Sequence, residues 1–366
     1  MTETFFRIFT LIQPGPEFID SESIREIVRS GIEDLPFEDR ASAWLVFLEI
    51  FPNDPNKWTE ERQRMKNEYN SYKEIFNILE FHNRHVKCTY TKHDFSDLNA
   101  ELMTLIHGDV IRTCKHIFKL PEYQLPGVEI SDAPEQEVLK YEFHLRRIER
   151  VLYLFASLNP TMSYMQGFNE LLMPIYYTLY MARSLFCDDP DEVECLSFFC
   201  LHQLITKTLI TDLFTTQDKS SILLYRLKPF VQLLQKHTPR AHKIIQQLNI
   251  HPVCYCFRWF SLLFCQEFEI PKLLTIWDSL LLHFNELVEY AYYIGVVLVK
   301  LCEDSLSVDN YGETISNLQF VKEEDVKKIV KMANDYWNHD RDPSLLNNVW
   351  SAINNAGSMM WSFIKE

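Results

Sequence analysis

The chain has 366 residues, 47% of them apolar and 14% aromatic, a length for one large or two modest globular units that buries roughly three quarters of its unfolded surface and excludes extensive disorder. A net charge of −15 gives a surface that repels phosphate backbones and argues against nucleic acid as a partner. With only eight glycines and no G-x-x-x-x-G-K-[ST], the chain has no phosphate-cradling loop and is not itself a P-loop GTPase.

From the N-terminus, residues 1–22 carry prolines and no clear period, and read as an arm packed through Phe5, Phe6 and Phe9. The beginning lacks the basic-then-apolar order of a secretory signal. A short helix over 23–29 is ended by Gly31. Acids at Glu38 and Asp39 and a stop at Pro52 frame a helix over about 38–51, with Trp44, Leu45, Phe47, Leu48 and Phe51 at helical spacing. Arg40 and Trp44 are four apart and share a face; the guanidinium lies over the indole or reaches a buried acid, a structural role. Residues 57–85 are charged with interleaved aromatics and predict a long amphipathic helix. The stretch 98–111 is apolar-periodic and delivers Arg112. Residues 119–134 hold three prolines and read as a surface loop.

The strongest helical pattern covers 137–158, with Leu145, Ile148, Leu152 and Phe155 on one face and Arg146, Arg147, Glu149 and Arg150 lying elsewhere. Asn159-Pro160 stops it. The turn TMSYMQG leads into a buried helix with Pro174 inside it, and the acidic stretch 187–192 is the predicted internal boundary. Helices follow over 193–214, 221–236, 239–249, the Phe257–Phe264 region, 273–284 and 288–302. Residues 303–320 read as loop, 323–337 as helix, and the final stretch as an amphipathic helix with Leu346, Val349, Trp350, Ile353, Met360 and Phe363 on one stripe, docked on the core or, in the alternative, binding a membrane or a partner helix. No alternating strand pattern with hairpin turns appears, so the fold class is all-α. The nine cysteines sit mostly in apolar helical patterns and read as reduced core residues of a cytosolic protein. Cys254-x-Cys256 near His251 lacks a second ligand pair, so no metal site is predicted. The apolar runs at 171–182 and 290–299 are shorter than the ~20 residues of a spanning helix, and the sequence reads as soluble.

Two stretches carry the chemistry. LIHGDVIRT reads I-x-x-D-x-x-R, with Ile106, Asp109 and Arg112; SYMQGFNE reads Y-x-Q-G, with Tyr164, Gln166 and Gly167. An arginine neutralises charge developing on a transferred phosphoryl group, and a glutamine amide orients the attacking water. Taken with Gly31-Ile32, the Arg40/Trp44 pair, ERVLYLFASLNPTMSYMQGFNELL, RWFSLLFCQEF and IWDSLL, they resemble, in order, the TBC domain of Rab GTPase-activating proteins. PIYYTLY and the F-R-W…Q-E-F wording are similar to the subgroup of family member 13. Phe168 stands where the family has methionine, Gln266 replaces a common arginine, and Pro36 comes later than usual after Gly-Ile.

The resemblance implies a V-shaped, two-lobed helical TBC domain over about 31–302, with lobes about 31–186 and 193–302. An arm at 1–30 precedes it and a helical extension at 303–366 follows. It implies that a Rab docks in the groove and receives Arg112 and Gln166 as arginine and glutamine fingers. Asp109 holds Arg112 or pairs with Arg40, Tyr164 sets the loop bearing Gln166, and Gly167 lets the backbone approach closely. The expected protein is cytoplasmic, peripheral on endomembranes through its Rab, and active in vesicle trafficking. It has no cofactor of its own, because GTP and Mg2+ belong to the partner. The alternative is a non-catalytic Rab-binding scaffold. A self-contained hydrolase finds no support, since neither G-x-S-x-G nor H-E-x-x-H occurs.

Overall fold

The computed structural model describes residues 20–52, 54–87, 89–127, 134–213, 221–320 and 325–342. Every regular element among them is an α-helix or a short 3-10 turn, as the 3.6-residue period predicts. The amphipathic stripe of residues 346–363 lies outside the described residues. Two compact units are formed, one running through Lys219 and taking in Phe257–Val288, the other comprising Ser220–Cys256 and the chain from Glu289 on. The acidic stretch 187–192, where the sequence places an internal boundary, lies within the first unit.

The first unit begins with α1 (Ser21–Arg29), capped by the Asp20 carboxylate and followed by Gly31 at φ 99°. Then come α2 (Phe37–Phe47), α3 (Trp58–Ile75), α4 (Ala100–Val110), the single turn α5 (Cys114–Ile117), α6 (Glu142–Leu158), α7 (Phe168–Met181) and α8 (Pro190–Lys207). The helix predicted over 57–85 stops at Ile75, where Asn77 takes φ 53° and turns the chain. The start predicted at 137 is a 3-10 stretch over Pro134–Tyr141. In the second unit, α9 (Ser221–His237) and α10 (Pro239–Gln247) precede α11 (Val253–Ser261), whose residues from Phe257 on belong to the first unit. There α12 (Lys272–Leu282) follows, before α13 (Leu287–Cys302), α14 (Tyr311–Gln319) and α15 (Val326–Asp340). The stretch read as loop over 303–320 contains α14. Its N-cap is Asn310, whose amide oxygen accepts from the Glu313 N–H while its Nδ2 donates to the Glu313 carboxylate, a local signal that polar composition concealed.

The main departure from the sequence reading concerns α6. Arg146, Arg147, Glu149 and Arg150, which the pattern places off the apolar face, are buried as well. Each finds a partner that periodicity cannot reveal. Arg147 donates to Glu194 of α8 at 2.8 Å, Arg150 donates to both Glu194 oxygens at 2.6 and 2.7 Å, and the Tyr69 hydroxyl of α3 donates to it at 2.6 Å. Burial pushes the Glu194 carboxyl up, but the Arg150 and Arg147 guanidiniums and the Tyr69 hydroxyl pull it down further, to about 2. Buried charge is tolerated in a fold only when matched in this way.

Between α6 and α7 lies a buried histidine in its neutral form. His144 donates from Nε2 to the Pro121 carbonyl at 3.0 Å and accepts at Nδ1 from the Tyr176 hydroxyl, also at 3.0 Å; the carbonyl can only accept, which fixes the tautomer. Burial holds His144 down at about 4. His116, buried and donating to the Cys265 carbonyl at 2.8 Å, is held at about 4 by the same cause. In the unfolded chain both protonate near 6.5, so their stabilisation is complete above that pH and is lost as pH falls from 6.5 to 4. Each then contributes a loss of about 2 kcal/mol between pH 6.5 and 5. Urea unfolding at pH 7 and pH 5 will show this as a lower midpoint at pH 5, with a shallower pH slope in His144→Phe. An identical slope in that variant would assign the acid sensitivity elsewhere.

Candidate functional site

α4 is started by Asn99, whose side chain accepts from the Leu102 N–H, and is buried along Met103, Ile106 and Val110. Its last turn tightens: the Arg112 N–H bonds the Asp109 carbonyl at 3.1 Å and the Thr113 N–H bonds that of Val110 at 3.0 Å. This swings Arg112 outward, with its side chain 65% exposed, while Asp109 remains 4% exposed beneath it. Arg112 Nη2 donates to Asp109 Oδ1 at 2.6 Å. The other carboxylate oxygen accepts from the Tyr164 hydroxyl at 3.0 Å. One buried carboxylate therefore holds the exposed guanidinium on one side and the 159–167 turn on the other.

That turn is built by Asn159 and Pro160 at the end of α6. The Met162 and Ser163 N–H groups both bond the Asn159 carbonyl, with Ser163 at φ 57°. Tyr164 is buried, with its ring edge-on to Phe168, and burial together with the Asp109 charge holds its hydroxyl protonated far above the usual tyrosine range. Gly167 takes φ 109° at the N-cap of α7, a left-handed conformation that glycine adopts without steric cost. Between Tyr164 and Gly167 sits Gln166, exposed. Anchored tyrosine before it and left-handed glycine after it fix where its backbone emerges.

Asn169 completes the network and was not singled out from the sequence. Buried in the first turn of α7, its Oδ1 accepts from the Gly167 N–H at 3.2 Å and faces the Tyr164 hydroxyl at 3.1 Å, while its Nδ2 donates to Thr113 Oγ1 at 2.7 Å. Thr113 in turn donates to the Asp109 carbonyl at 3.0 Å. The available signal was an amide two residues past a glycine at a helix start, a position where Asn bonds local backbone. Glu170, one residue on, is raised by burial.

Of the residues chosen from sequence, Asp109, Arg112, Tyr164 and Gly167 share this network, and Gln166 stands on its turn. Arg40 and Trp44 do not join it. The expectation that Asp109 pairs with Arg40 is corrected: Arg40 donates to Asp278 of α12 from Nε at 3.0 Å and from Nη2 at 3.1 Å, and Trp44 Nε1 donates to the same carboxylate at 2.8 Å. Trp44 also packs on Trp277, ring centroids 5.8 Å apart. Of the two partners foreseen for Arg40, indole or buried acid, the acid is the one found, and the arrangement ties α2 to α12. Chemically, the surface presents a permanently charged planar donor and a neutral amide from two segments locked to one carboxylate.

Residues 130–307 match the family model of the Rab-GTPase-TBC domain. The match falls where the ordered motifs resemble the same domain; Gln166 lies within the matched residues and Arg112 just before them. TBC1 domain family member 13 from Homo sapiens is 29% identical over 212 residues, covering 56% of this chain and 51% of that protein. The GTPase-activating protein GYP1 from Saccharomyces cerevisiae is 24% identical over 303 residues, covering 78% of this chain and 41% of that protein. The chain spans about half the length of the TBC1 domain family member 13 relatives it matches. Among solved structures, the Ypt/Rab-GAP domain of Gyp1p superposes with a TM-score of 0.65 at 20% identity, covering 90% of this chain and 95% of that one, and so shares the all-helical fold.

Proposed function

We propose that this chain is a GTPase-activating protein for a Rab-family small GTPase, supplying Arg112 and Gln166 in trans to the partner's nucleotide. The observation that carries the reading is the single buried carboxylate of Asp109, which bonds both the exposed Arg112 and the Tyr164 hydroxyl two residues before exposed Gln166. In phosphoryl transfer the protein contributes mainly position and charge. A guanidinium fixed by a buried anion loses little freedom on docking, and it spreads positive charge over the transferring phosphoryl oxygens as negative charge grows there. The Gln166 amide aligns the attacking water. GTP and Mg2+ are the partner's, and the chain brings no cofactor. The place of action that follows is the cytoplasmic face of an endomembrane, reached through the bound Rab, with control of vesicle trafficking as the outcome.

The test is single-turnover GTP hydrolysis across a panel of purified Rab proteins with and without the chain, read with a phosphate sensor. Acceleration of at least one Rab is expected. Binding of GTP-loaded Rab without acceleration would replace the proposal by the scaffold alternative, and absence of both would remove the Rab reading.

A further inference from the structure

Gly108 occupies the interior of α4, where alanine is the better helix former. A methyl group built on it would stand 2.4 Å from the Tyr90 hydroxyl oxygen, 3.7 Å from Tyr90 Cζ and 3.5 Å from Arg112 Nη1. The hydroxyl of Tyr90 thus fills the place of a side chain at 108, and it does so alongside the guanidinium. Tyr90 comes from the irregular stretch ahead of α4, yet its ring is well seated. It stands edge-on to His107 at 4.3 Å and tilts against Phe95 at 6.2 Å. His107 is itself buried, bonded at Nδ1 to Glu149 and at Nε2 to the Lys87 carbonyl, and Glu149 accepts from Arg146 at 2.6 Å. A fully paired buried cluster therefore backs the ring whose hydroxyl stands over Gly108.

We infer that Tyr90 is a positioning residue for Arg112, with Gly108 as the seat that lets it approach. Asp109 takes the Nη2 side of the guanidinium, while the Tyr90 hydroxyl and Arg112 Nη1 both border the space that a side chain at 108 would occupy. A long side chain confined in this way before docking surrenders less rotamer freedom when a partner arrives. The inference rests on the reading of Arg112 as the arginine supplied to a GTPase. Its structural half stands on the geometry alone.

The geometry specifies a double-mutant cycle. Gly108→Ala places its methyl against the Tyr90 hydroxyl and forces the ring aside. In the Tyr90→Phe background the same methyl meets the ring carbon at 3.7 Å and Arg112 Nη1 at 3.5 Å, both ordinary contact distances. On a Rab that the wild-type chain activates, Gly108→Ala lowers kcat on the order of 10- to 100-fold, the cost of misplacing a reacting group, with KM little changed and the thermal midpoint not reduced. Adding Tyr90→Phe to Gly108→Ala recovers most of that loss, and Tyr90→Ala reproduces it. The companion measurement needs no GTPase: the order of the Arg112 Nε–H vector, read by 15N relaxation on arginine-labelled full chain, drops in Gly108→Ala and Tyr90→Ala and returns in the double variant. A double variant no more active and no more ordered than Gly108→Ala overturns the inference. If no Rab responds to the wild-type chain, the activation reading fails by itself, and the Nε order decides: restrained in wild type and loosened in Tyr90→Ala supports the positioning role, while equal order in both ends it.

Discussion

Arg112→Lys reduces Rab GTP hydrolysis by roughly 10³–10⁵, about 4–7 kcal/mol of barrier, while the chain keeps its helical content and thermal midpoint. The charge survives the substitution, so the loss isolates geometry. An ammonium on a shorter reach cannot keep one nitrogen on Asp109 and present another to a phosphoryl oxygen, as the planar fork does. Because the side chain is 65% exposed, little packing is lost and stability is a clean control. Gln166→Ala also impairs turnover, and the double variant is less than additive, since both side chains serve one transition state. Binding to GDP-loaded Rab with a fluoride phosphate mimic weakens in step, as expected for groups that act on the transition state. Near-normal activation by Arg112→Lys would remove this arginine from the mechanism. The basic residues of α6 are no substitute for it, because Arg146, Arg147 and Arg150 are all committed to buried partners.

Glu194→Gln destabilises the chain by about 3–5 kcal/mol, the cost of removing one member of a buried ion cluster. The carboxylate is fully buried and faces Arg147, Arg150 and the Tyr69 hydroxyl. An amide keeps the size and one acceptor, but leaves two guanidiniums without their shared counter-charge, and its own N–H donors point at other donors. Total stability of a folded domain is about 5–15 kcal/mol, so the variant sits near the edge of folding. The thermal midpoint will fall by on the order of 10 °C, and the acid-induced loss of stability between the ordinary glutamate range and about pH 2 will flatten. A fall of a degree or two would mean that Asp191, 2.7 Å from Arg147, takes over as the counter-ion.

The helical class was legible because period and length survive any packing arrangement. The spacing of Asp109 to Arg112 likewise dictates a one-turn contact, and the structure contains it. Partners distant in sequence were illegible. Nothing in an i, i+4 pattern says that Arg150 meets Glu194, so the pattern places the charges of α6 off the apolar face with no partner named. The same blindness left Arg40 with two candidate partners until Asp278 appeared. Asn169 and Gly108 were visible as types out of place, an amide inside an apolar helix start and a glycine inside a helix, but their reasons, Thr113 and Tyr90, lie in other segments.

The pairing of Arg40 and Trp44 with Asp278 also sets a timetable. Their partner lies 238 and 234 residues downstream, so at about 5–20 residues per second a ribosome delivers it roughly 10–50 s after them. During that interval the nascent chain holds a guanidinium destined for burial with no acid to meet it. α2 therefore cannot settle into its final place while synthesis of the middle of the chain is under way. A nascent product cut short ahead of α12 keeps this joint open, and becomes a client for chaperones and proteases long before it resembles a finished protein.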